Sequence, residues 1–146
     1  MNSAVKVVSY VNKLNKSILI HCSDGWDRTA LISSIALLLL DPYHRTLEGF
    51  IVLIEKEWVS FGHKFEDRLG HGNSNFEDDE RAPVFLQFLD IVWQLTQQFP
   101  TKFQFSDRLL LFLSEEVYSC RFGTFLYNCE KDRVEVDFIF DYTYLF

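Results

Sequence analysis

Cysteine is scarce in this chain. Its 146 residues include only three cysteines, Cys22, Cys120 and Cys129, and no two of them stand at the spacing of metal ligands. An odd number of cysteines fits a reducing compartment, and this spacing gives no reason to predict a metal site. We therefore expect neither a bound metal nor another cofactor.

Basic residues and long apolar runs are scarce as well. The chain has 14 lysines and arginines against 21 acidic residues, a net charge of −7, which argues against general nucleic-acid binding and broad polybasic membrane attachment. The longest apolar run, residues 35–40, is far shorter than the ~20 residues that span a bilayer, and residues 1–15 lack the apolar core of a secretory signal. The sequence predicts a cytoplasmic protein without a transmembrane segment, which meets membranes only at their surface.

Apolar and aromatic residues, in contrast, are abundant. Hydrophobic residues make up 48% of the chain, and 15 phenylalanines and three tryptophans can fill a substantial core. The length suits one domain. Hydrophobic periodicity and turn residues predict helices over residues 4–15, 28–40, 47–59, 83–99 and 106–120, strands over 17–21 and 134–140, and a loop over 62–81.

One nonapeptide, His-Cys-Ser-Asp-Gly-Trp-Asp-Arg-Thr at residues 21–29, is the most informative part of the chain. Cys22 and Arg28 enclose five residues with Gly25 in the middle. A loop that opens a helix directs its backbone N–H groups inward and forms an anion site. A cysteine at that site is favoured as the thiolate, and the planar fork of Arg28 suits phosphate oxygens. The pattern predicts attack by sulfur on a bound phosphate ester.

A lone cysteine after an apolar segment is most often a small buried hydrophobic residue, but the full pattern around Cys22 disfavours that interpretation. His-Cys-x-x-Gly-x-x-Arg-Thr is the signature of cysteine-dependent phosphatases. The residues that fill it here, Cys-Ser-Asp-Gly-Trp-Asp-Arg, resemble those of the myotubularins, which remove the 3-phosphate from phosphoinositides. Further segments resemble the same family: Asp41-Pro42-Tyr43-His44-Arg45-Thr46, Glu55-Lys56-Glu57-Trp58, Ser60-Phe61-Gly62-His63-Lys64-Phe65, Gly70-His71-Gly72 and Ser119-Cys120-Arg121-Phe122-Gly123-Thr124-Phe125.

The resemblance covers about residues 16–133 and corresponds to the C-terminal half of the family's catalytic domain. It implies an α/β fold, in which a strand, a phosphate-binding loop (P-loop) and a helix precede a predominantly helical region, with an incomplete sheet. The family's membrane-binding domain and the first half of its phosphatase domain have no counterpart before residue 16. Residues 134–146 depart from the family pattern. We expect residues 1–146 to form a partial myotubularin-type phosphatase domain.

The chemistry and the resemblance together imply roles for the loop residues. Cys22 is the expected nucleophile and forms a phosphocysteine intermediate. Gly25 lets the backbone approach the phosphate, and Arg28 holds phosphate oxygens in the transition state. The leaving alkoxide needs a proton. The signature offers two donors: Asp27, at the position that the family favours, and Asp24, which could instead orient ring hydroxyls.

Four more residues have a functional interpretation. Ser23 belongs to the substrate-binding loop, and Trp26 either packs in the core or forms a wall against the inositol ring. Lys64 stands where the family places a basic residue for a second phosphate; otherwise it is an ordinary solvated charge. Thr29 either donates its hydroxyl to the sulfur or is an ordinary residue of the first helical turn.

The resemblance implies removal of the D3 phosphate from phosphatidylinositol 3-phosphate and phosphatidylinositol 3,5-bisphosphate at the surface of endosomal-type membranes. One alternative is a catalytically silent fragment that binds phosphoinositide or another myotubularin, as a homodimer or heterodimer. Another alternative is a phosphoprotein phosphatase. The paired aspartates and Trp26 favour the lipid branch.

Overall fold

The computed structural model describes residues 1–71, 78–140 and 145–146, and this part of the chain is mostly helical. A π-helical turn, Glu55–Ser60, continues α3, and 3₁₀ turns lie at Pro42–Arg45, Asp78–Glu80 and Gly123–Phe125. Within the described ranges, no helix is both long and apolar enough to cross a membrane. The α-helices are α1 (Asn2–Leu14), α2 (Arg28–Leu40), α3 (Leu47–Ile54), α4 (Phe65–Leu69), α5 (Val84–Gln98), α6 (Asp107–Ser119) and α7 (Glu130–Phe140).

Helix α2, which follows the signature loop, begins and ends where the sequence predicts. Asp41 is extended, with φ −116° and ψ 119°, because the ring of Pro42 disfavours helical geometry at the preceding residue. The helix is apolar on nearly every face, and it lies against both α1 and α5. Packing on two sides fixes the position of the start of α2 and hence the position of the loop before it.

The other predicted helices are confirmed, with shifted ends. Helix α1 ends before Asn15, which adopts the left-handed conformation with φ 49°. Pro83 lies immediately before α5 rather than in its first turn. Ser106 precedes α6, but its side chain makes no capping hydrogen bond. Sequence signals therefore locate these helices to within a few residues.

The two predicted strands are absent from the described residues. Residues 17–21 are irregular, and the side chain of Leu19 is 87% exposed instead of buried. Residues 134–140 belong to α7. A strand needs a neighbour to pair with its backbone N–H and C=O groups, and neither segment has a paired strand in the part of the chain that the structure describes. The described part of the chain is therefore mostly helical, and the strand of the predicted α/β fold is not confirmed there.

The predicted loop over residues 62–81 is partly helical. It contains α4 and the 3₁₀ turn Asp78–Glu80, and residues 72–77 lie outside the described residues. Gly70 ends α4 in the left-handed conformation, with φ 72°. Because α4 returns to the signature loop, this region carries residues that contact the candidate site.

An aromatic cluster forms the core beneath that site. Trp58 lies edge-on to Phe85, with ring centroids 5.0 Å apart, and tilted against Phe88 at 5.2 Å. Phe65 contacts Phe125 at 5.1 Å. These five side chains are at most 1% exposed, and the burial of each contributes about 2–3 kcal/mol. The cluster therefore fixes the positions of α4, α5 and the π-helical turn relative to one another.

Candidate active site

The signature loop connects the irregular segment before it to the first turn of α2. Gly25 has φ +100°, a conformation that side chains rarely adopt, although a Cβ atom there would meet nothing within 4 Å. The requirement for glycine is thus conformational rather than steric. In this conformation the Gly25 N–H donates a hydrogen bond to the sulfur of Cys22, at 3.2 Å.

Cys22 is surrounded by hydrogen-bond donors. The hydroxyl of Thr29 lies 3.2 Å from Sγ, and it is the main cause that lowers the pKa of Cys22 to about 6, against the opposing effect of burial. Backbone N–H groups of Gly25, Thr29 and Asp24 act in the same direction. Cys22 is therefore mostly a thiolate at pH 7, the form that acts as a nucleophile.

Arg28 and Ser23 lie at the exposed side of the loop. One guanidinium nitrogen of Arg28 donates to the Ser23 hydroxyl at 3.1 Å, and both residues are exposed. Arg28 is the first residue of α2, where the backbone dipole also favours anions. The loop thus carries a thiolate, and an exposed arginine fork stands at the N-terminus of the helix that follows it.

Asp27 is held by two residues from the segment around α4. His63 Nδ1 lies 3.1 Å from Oδ1, and Arg68 Nη2 lies 3.0 Å from Oδ2. Burial by itself raises the pKa of Asp27, but the hydrogen bonds from His63 and Arg68 lower it to about 2. In the ligand-free protein Asp27 is consequently ionised.

The side chain of Asp24, the other candidate proton donor, is exposed and makes no hydrogen bond or ion pair within the described residues. Together with Gly25 and Thr29 it lines a cavity of about 430 Å³ beside the loop. The buried carboxylate of Glu57 lies in the same cavity and accepts a hydrogen bond from Ser33 at 2.6 Å. The two aspartates of the signature therefore have opposite surroundings.

The histidines and basic residues between positions 63 and 71 make contacts in two different places. Lys64 Nζ lies 4.9 Å from the ring centroid of Trp26, so Lys64 joins His63 and Arg68 at the signature loop. His71 instead contacts the backbone carbonyl of Val117 in α6. Sequence reasoning assigned no contact to His63 and Arg68, because partners 37 and 41 residues apart leave no local signal.

The surroundings of Cys120 and His21 differ from those of Cys22. Cys120 is exposed, and partial burial of its sulfur together with the charge of Glu66 raises its pKa. His21 Nδ1 lies 3.4 Å from the backbone carbonyl of Cys22. The pKa of Cys120 is thus shifted in the opposite direction from that of Cys22.

Comparison with known proteins adds an independent line of evidence. A family model described as the myotubularin-like phosphatase domain matches residues 1–134. The Caenorhabditis elegans phosphatidylinositol-3,5-bisphosphate 3-phosphatase mtm-1 is 58% identical over 135 residues, which are 92% of this chain and 23% of that protein. Xenopus laevis myotubularin is 54% identical over 133 residues, 91% of this chain and 22% of that protein. For Bos taurus phosphatidylinositol-3,5-bisphosphate 3-phosphatase MTMR2 the identity is 54% over 130 residues, 89% of this chain and 20% of that protein.

The chain thus spans between 20% and 23% of the length of these relatives. The family match begins at residue 1 and includes α1, which lies before the motifs that carry the resemblance. On this match, and with the signature loop arranged around a thiolate, the chain belongs to the family of myotubularin-like phosphatase domains.

Proposed function

We propose that this chain carries the catalytic loop of a phosphoinositide phosphatase that removes the D3 phosphate from phosphatidylinositol 3-phosphate and phosphatidylinositol 3,5-bisphosphate. The observation that supports this most strongly is the arrangement around Cys22, where the Gly25 N–H and the Thr29 hydroxyl each lie 3.2 Å from the sulfur and lower its pKa to about 6. The names of the relatives mtm-1 and MTMR2 supply the substrate class. Neither the loop nor the reaction requires a metal or a cofactor.

In the first step, the thiolate of Cys22 attacks phosphorus, and the S–P bond forms as the bond from phosphorus to the inositol oxygen breaks. The leaving oxygen takes a proton from an aspartic acid of the loop. Arg28 and the loop N–H groups hold the equatorial phosphate oxygens, whose negative charge they balance in the transition state.

In the second step, water attacks phosphorus and the S–P bond breaks, which returns the thiolate and releases inorganic phosphate. The aspartate that lost its proton accepts one from the attacking water, so that the cycle closes. The Thr29 hydroxyl, 3.2 Å from the sulfur, stabilises the departing thiolate and thereby assists this step.

We propose Asp27 as the proton donor, with Asp24 as the alternative. Because the pKa of Asp27 is about 2 in the free protein, a bound phosphate has to raise that pKa before Asp27 can donate. A phosphate dianion close to the carboxylate acts in this direction, since like charges disfavour ionisation. Asp24 needs no such change, and this difference makes the two aspartates separable by experiment.

Trp26 and Lys64 are proposed to contact the inositol ring and its second phosphate. Their side chains form a cation–π pair, which places the ammonium group at the wall that Trp26 supplies. The pairing of Lys64 with Asp67, at 3.3 Å between half-exposed groups, is weak enough to be exchanged for a phosphate. We propose endosomal-type membranes as the place of action, because these two lipids are membrane components.

A second candidate function is binding without turnover, either of phosphoinositide or of another myotubularin chain. The exposed apolar side chains next to the loop favour it: Leu19 is 87% exposed and Phe61 62% exposed. Phe61 lines the cavity that Asp24 also lines, and Leu19 is next in sequence to other residues of the same lining. Such a surface suits a protein partner.

Phosphate release from short-chain, water-soluble forms of the two lipids and from a phosphotyrosine peptide tests these candidates. We expect the native chain to act on both lipids, and Cys22→Ser to lower turnover by about 10⁴-fold or more. Cys120→Ser is the matched control and should leave turnover unchanged. Lipid binding without phosphate release would favour the silent fragment, and preference for the peptide would favour a phosphoprotein phosphatase.

A further inference from the structure

His63 occupies an unusual position beneath the signature loop. Its side chain is 1% exposed, and its Nδ1 atom lies 3.0 Å from the backbone carbonyl of Trp26 and 3.1 Å from Oδ1 of Asp27. Both partners are acceptors, so Nδ1 has to carry the proton and share it between them. One buried N–H group thus holds the backbone of one loop residue and the side chain of the next.

The aromatic core fixes the imidazole ring in this position. The ring lies edge-on to Trp58, with centroids 4.9 Å apart, and edge-on to Phe65 at 4.8 Å. The backbone N–H of His63 also donates to the Trp58 carbonyl at 2.9 Å. Since interiors are close-packed, the Nδ1–H group has little freedom to follow the loop, and the loop has to adjust to it.

Arg68 holds the other oxygen of the same carboxylate. Its Nε and Nη2 atoms lie 3.2 and 3.0 Å from Oδ2 of Asp27. Arg68 is itself anchored by Glu80, whose side-chain and backbone oxygens accept from Nη1 at 2.7 and 2.8 Å. The carboxylate of Asp27 is therefore held on two sides by groups that belong to the core and to α4.

We infer that His63 is a positioning residue of the proposed phosphatase, which sets the orientation of the Asp27 carboxylate and the path of the loop at Trp26 through its Nδ1–H group. The inference rests on the proposed function for its catalytic consequence, whereas the contacts do not depend on it. His63 does not act on the substrate itself, because the ring is buried and Nε2 has no hydrogen-bond partner among the described residues. A misplaced donor is costly, since errors of about 1 Å at a catalytic group lower rates by about 100-fold.

Two amide variants separate the effect of the Nδ1–H group from the effect of the aromatic ring. In His63→Asn the amide nitrogen stands close to the position of Nδ1, and in His63→Gln it reaches the position of Nε2. Both variants lose the aromatic contacts equally, so they are a matched pair. We expect His63→Gln to lower turnover of phosphatidylinositol 3-phosphate by about 10-fold to 100-fold and His63→Asn to restore most of it. An aryl phosphate, whose leaving group needs little protonation, should change much less in both.

A measurement without turnover follows the Asp27 carboxyl carbon by ¹³C NMR during an acid titration. Loss of the hydrogen bond in His63→Gln should raise the pKa of Asp27 by about one pH unit, whereas His63→Asn should keep it near its native value. Alkylation of Cys22 should keep the same pH dependence in both variants, because His63 touches none of the donors to the sulfur. If the native chain releases no phosphate, the proposed function fails, and the titration still decides the role of His63.

Three results would overturn the inference. They are an unchanged Asp27 titration in His63→Gln, equal losses of turnover in both amide variants, and a ring in the native protein that carries its proton on Nε2. The last is read from the ¹⁵N shifts of the His63 ring and needs no variant, so poor folding of the variants leaves it intact. We expect the ring of the native protein to carry its proton on Nδ1.

Discussion

The two halves of the signature loop are held by different parts of the molecule. Cys22 takes its hydrogen bonds from Gly25 and Thr29, three and seven residues away. Asp27 takes its bonds from His63 and Arg68, which are about forty residues further along the chain. The reactive thiolate is thus a product of the local motif, whereas the orientation and charge of Asp27 are products of the tertiary fold.

The two halves of the loop also differ in solvent exposure and in charged contacts. The half that contains Ser23 and Asp24 is open to solvent, and Asp24 has no ion pair among the described residues. The half that contains Trp26 and Asp27 lies against the segment of His63, Lys64 and Arg68. In the proposed reaction, a substrate would meet a preset nucleophile on one side and a held carboxylate on the other, an arrangement that limits reorganisation.

The sharpest test of this comparison replaces each of the two carboxyl groups in turn by an amide. We expect Asp27→Asn to lower turnover of phosphatidylinositol 3-phosphate by about 10²–10⁴-fold, because an amide cannot donate the carboxylic proton. Turnover of an aryl phosphate should fall far less, since that leaving group is stable as an anion. Steady-state rates on the two substrates provide the measurement.

Asp24→Asn is the matched control, and it should lower both rates to a similar and smaller extent. If Asp24→Asn instead produces the loss confined to the lipid, the proton comes from the open half of the loop. In that case Asp27 orients the loop and takes no direct part in proton transfer.

The second test asks whether the thiolate depends on local donors alone. With Cys120 and Cys129 replaced by serine, iodoacetamide should alkylate Cys22 with an inflection near pH 6, its pKa in the folded protein. Thr29→Val removes the main cause of the lowered pKa, so the inflection should move up by about one to two pH units and the rate at pH 6 should fall by about 5-fold to 50-fold.

Thr29→Ser keeps the hydroxyl and should retain the native inflection. Arg68→Gln, which changes only the held half of the loop, should do so as well. A shifted inflection in Arg68→Gln would show that the two halves of the loop are coupled and that the thiolate does not depend on local donors alone.

The same division decides what the sequence could predict. The roles suggested for Cys22 and Arg28 depend on residues close to them in the sequence. The same is true of the bounds of α2, which hydrophobic periodicity and turn residues indicate. The contacts of Asp27 with His63 and Arg68 are long-range, so no local pattern indicates them. The strands predicted at 17–21, from a short apolar run, and at 134–140, from alternation, are absent for a related reason: a strand needs a paired neighbour, and none is present in the described ranges.

The third test concerns stability in acid. The pKa of Asp27 is about 2 in the folded protein and 3.8 ordinarily, so its interactions stabilise the fold above about pH 4, and this stabilisation is lost as the pH falls toward 2. By linkage it amounts to about 2 kcal/mol. Urea unfolding at pH 7 should therefore show Asp27→Asn less stable by about that amount, with the difference shrinking below pH 4.

Asp24→Asn is again the control, because Asp24 has no partner to lose among the described residues, and its effect should lie within about 0.5 kcal/mol. An Asp27→Asn variant as stable as the native chain at pH 7 would mean that desolvation of the carboxylate offsets its hydrogen bonds. The held half of the loop would then contribute orientation without stability.

The smallest expected effect concerns Lys64, at the border between the loop and α4. Lys64→Ala should weaken turnover of the 3,5-bisphosphate by about 3-fold to 10-fold, because one exposed charge-assisted contact is worth about 1 kcal/mol, and should leave the 3-monophosphate nearly unchanged. Lys64→Arg, which keeps the charge over Trp26, should preserve the ratio of the two rates. Equal losses on both lipids in Lys64→Ala would show instead that Lys64 supports the Trp26 side of the loop, and the second phosphate would then need another partner.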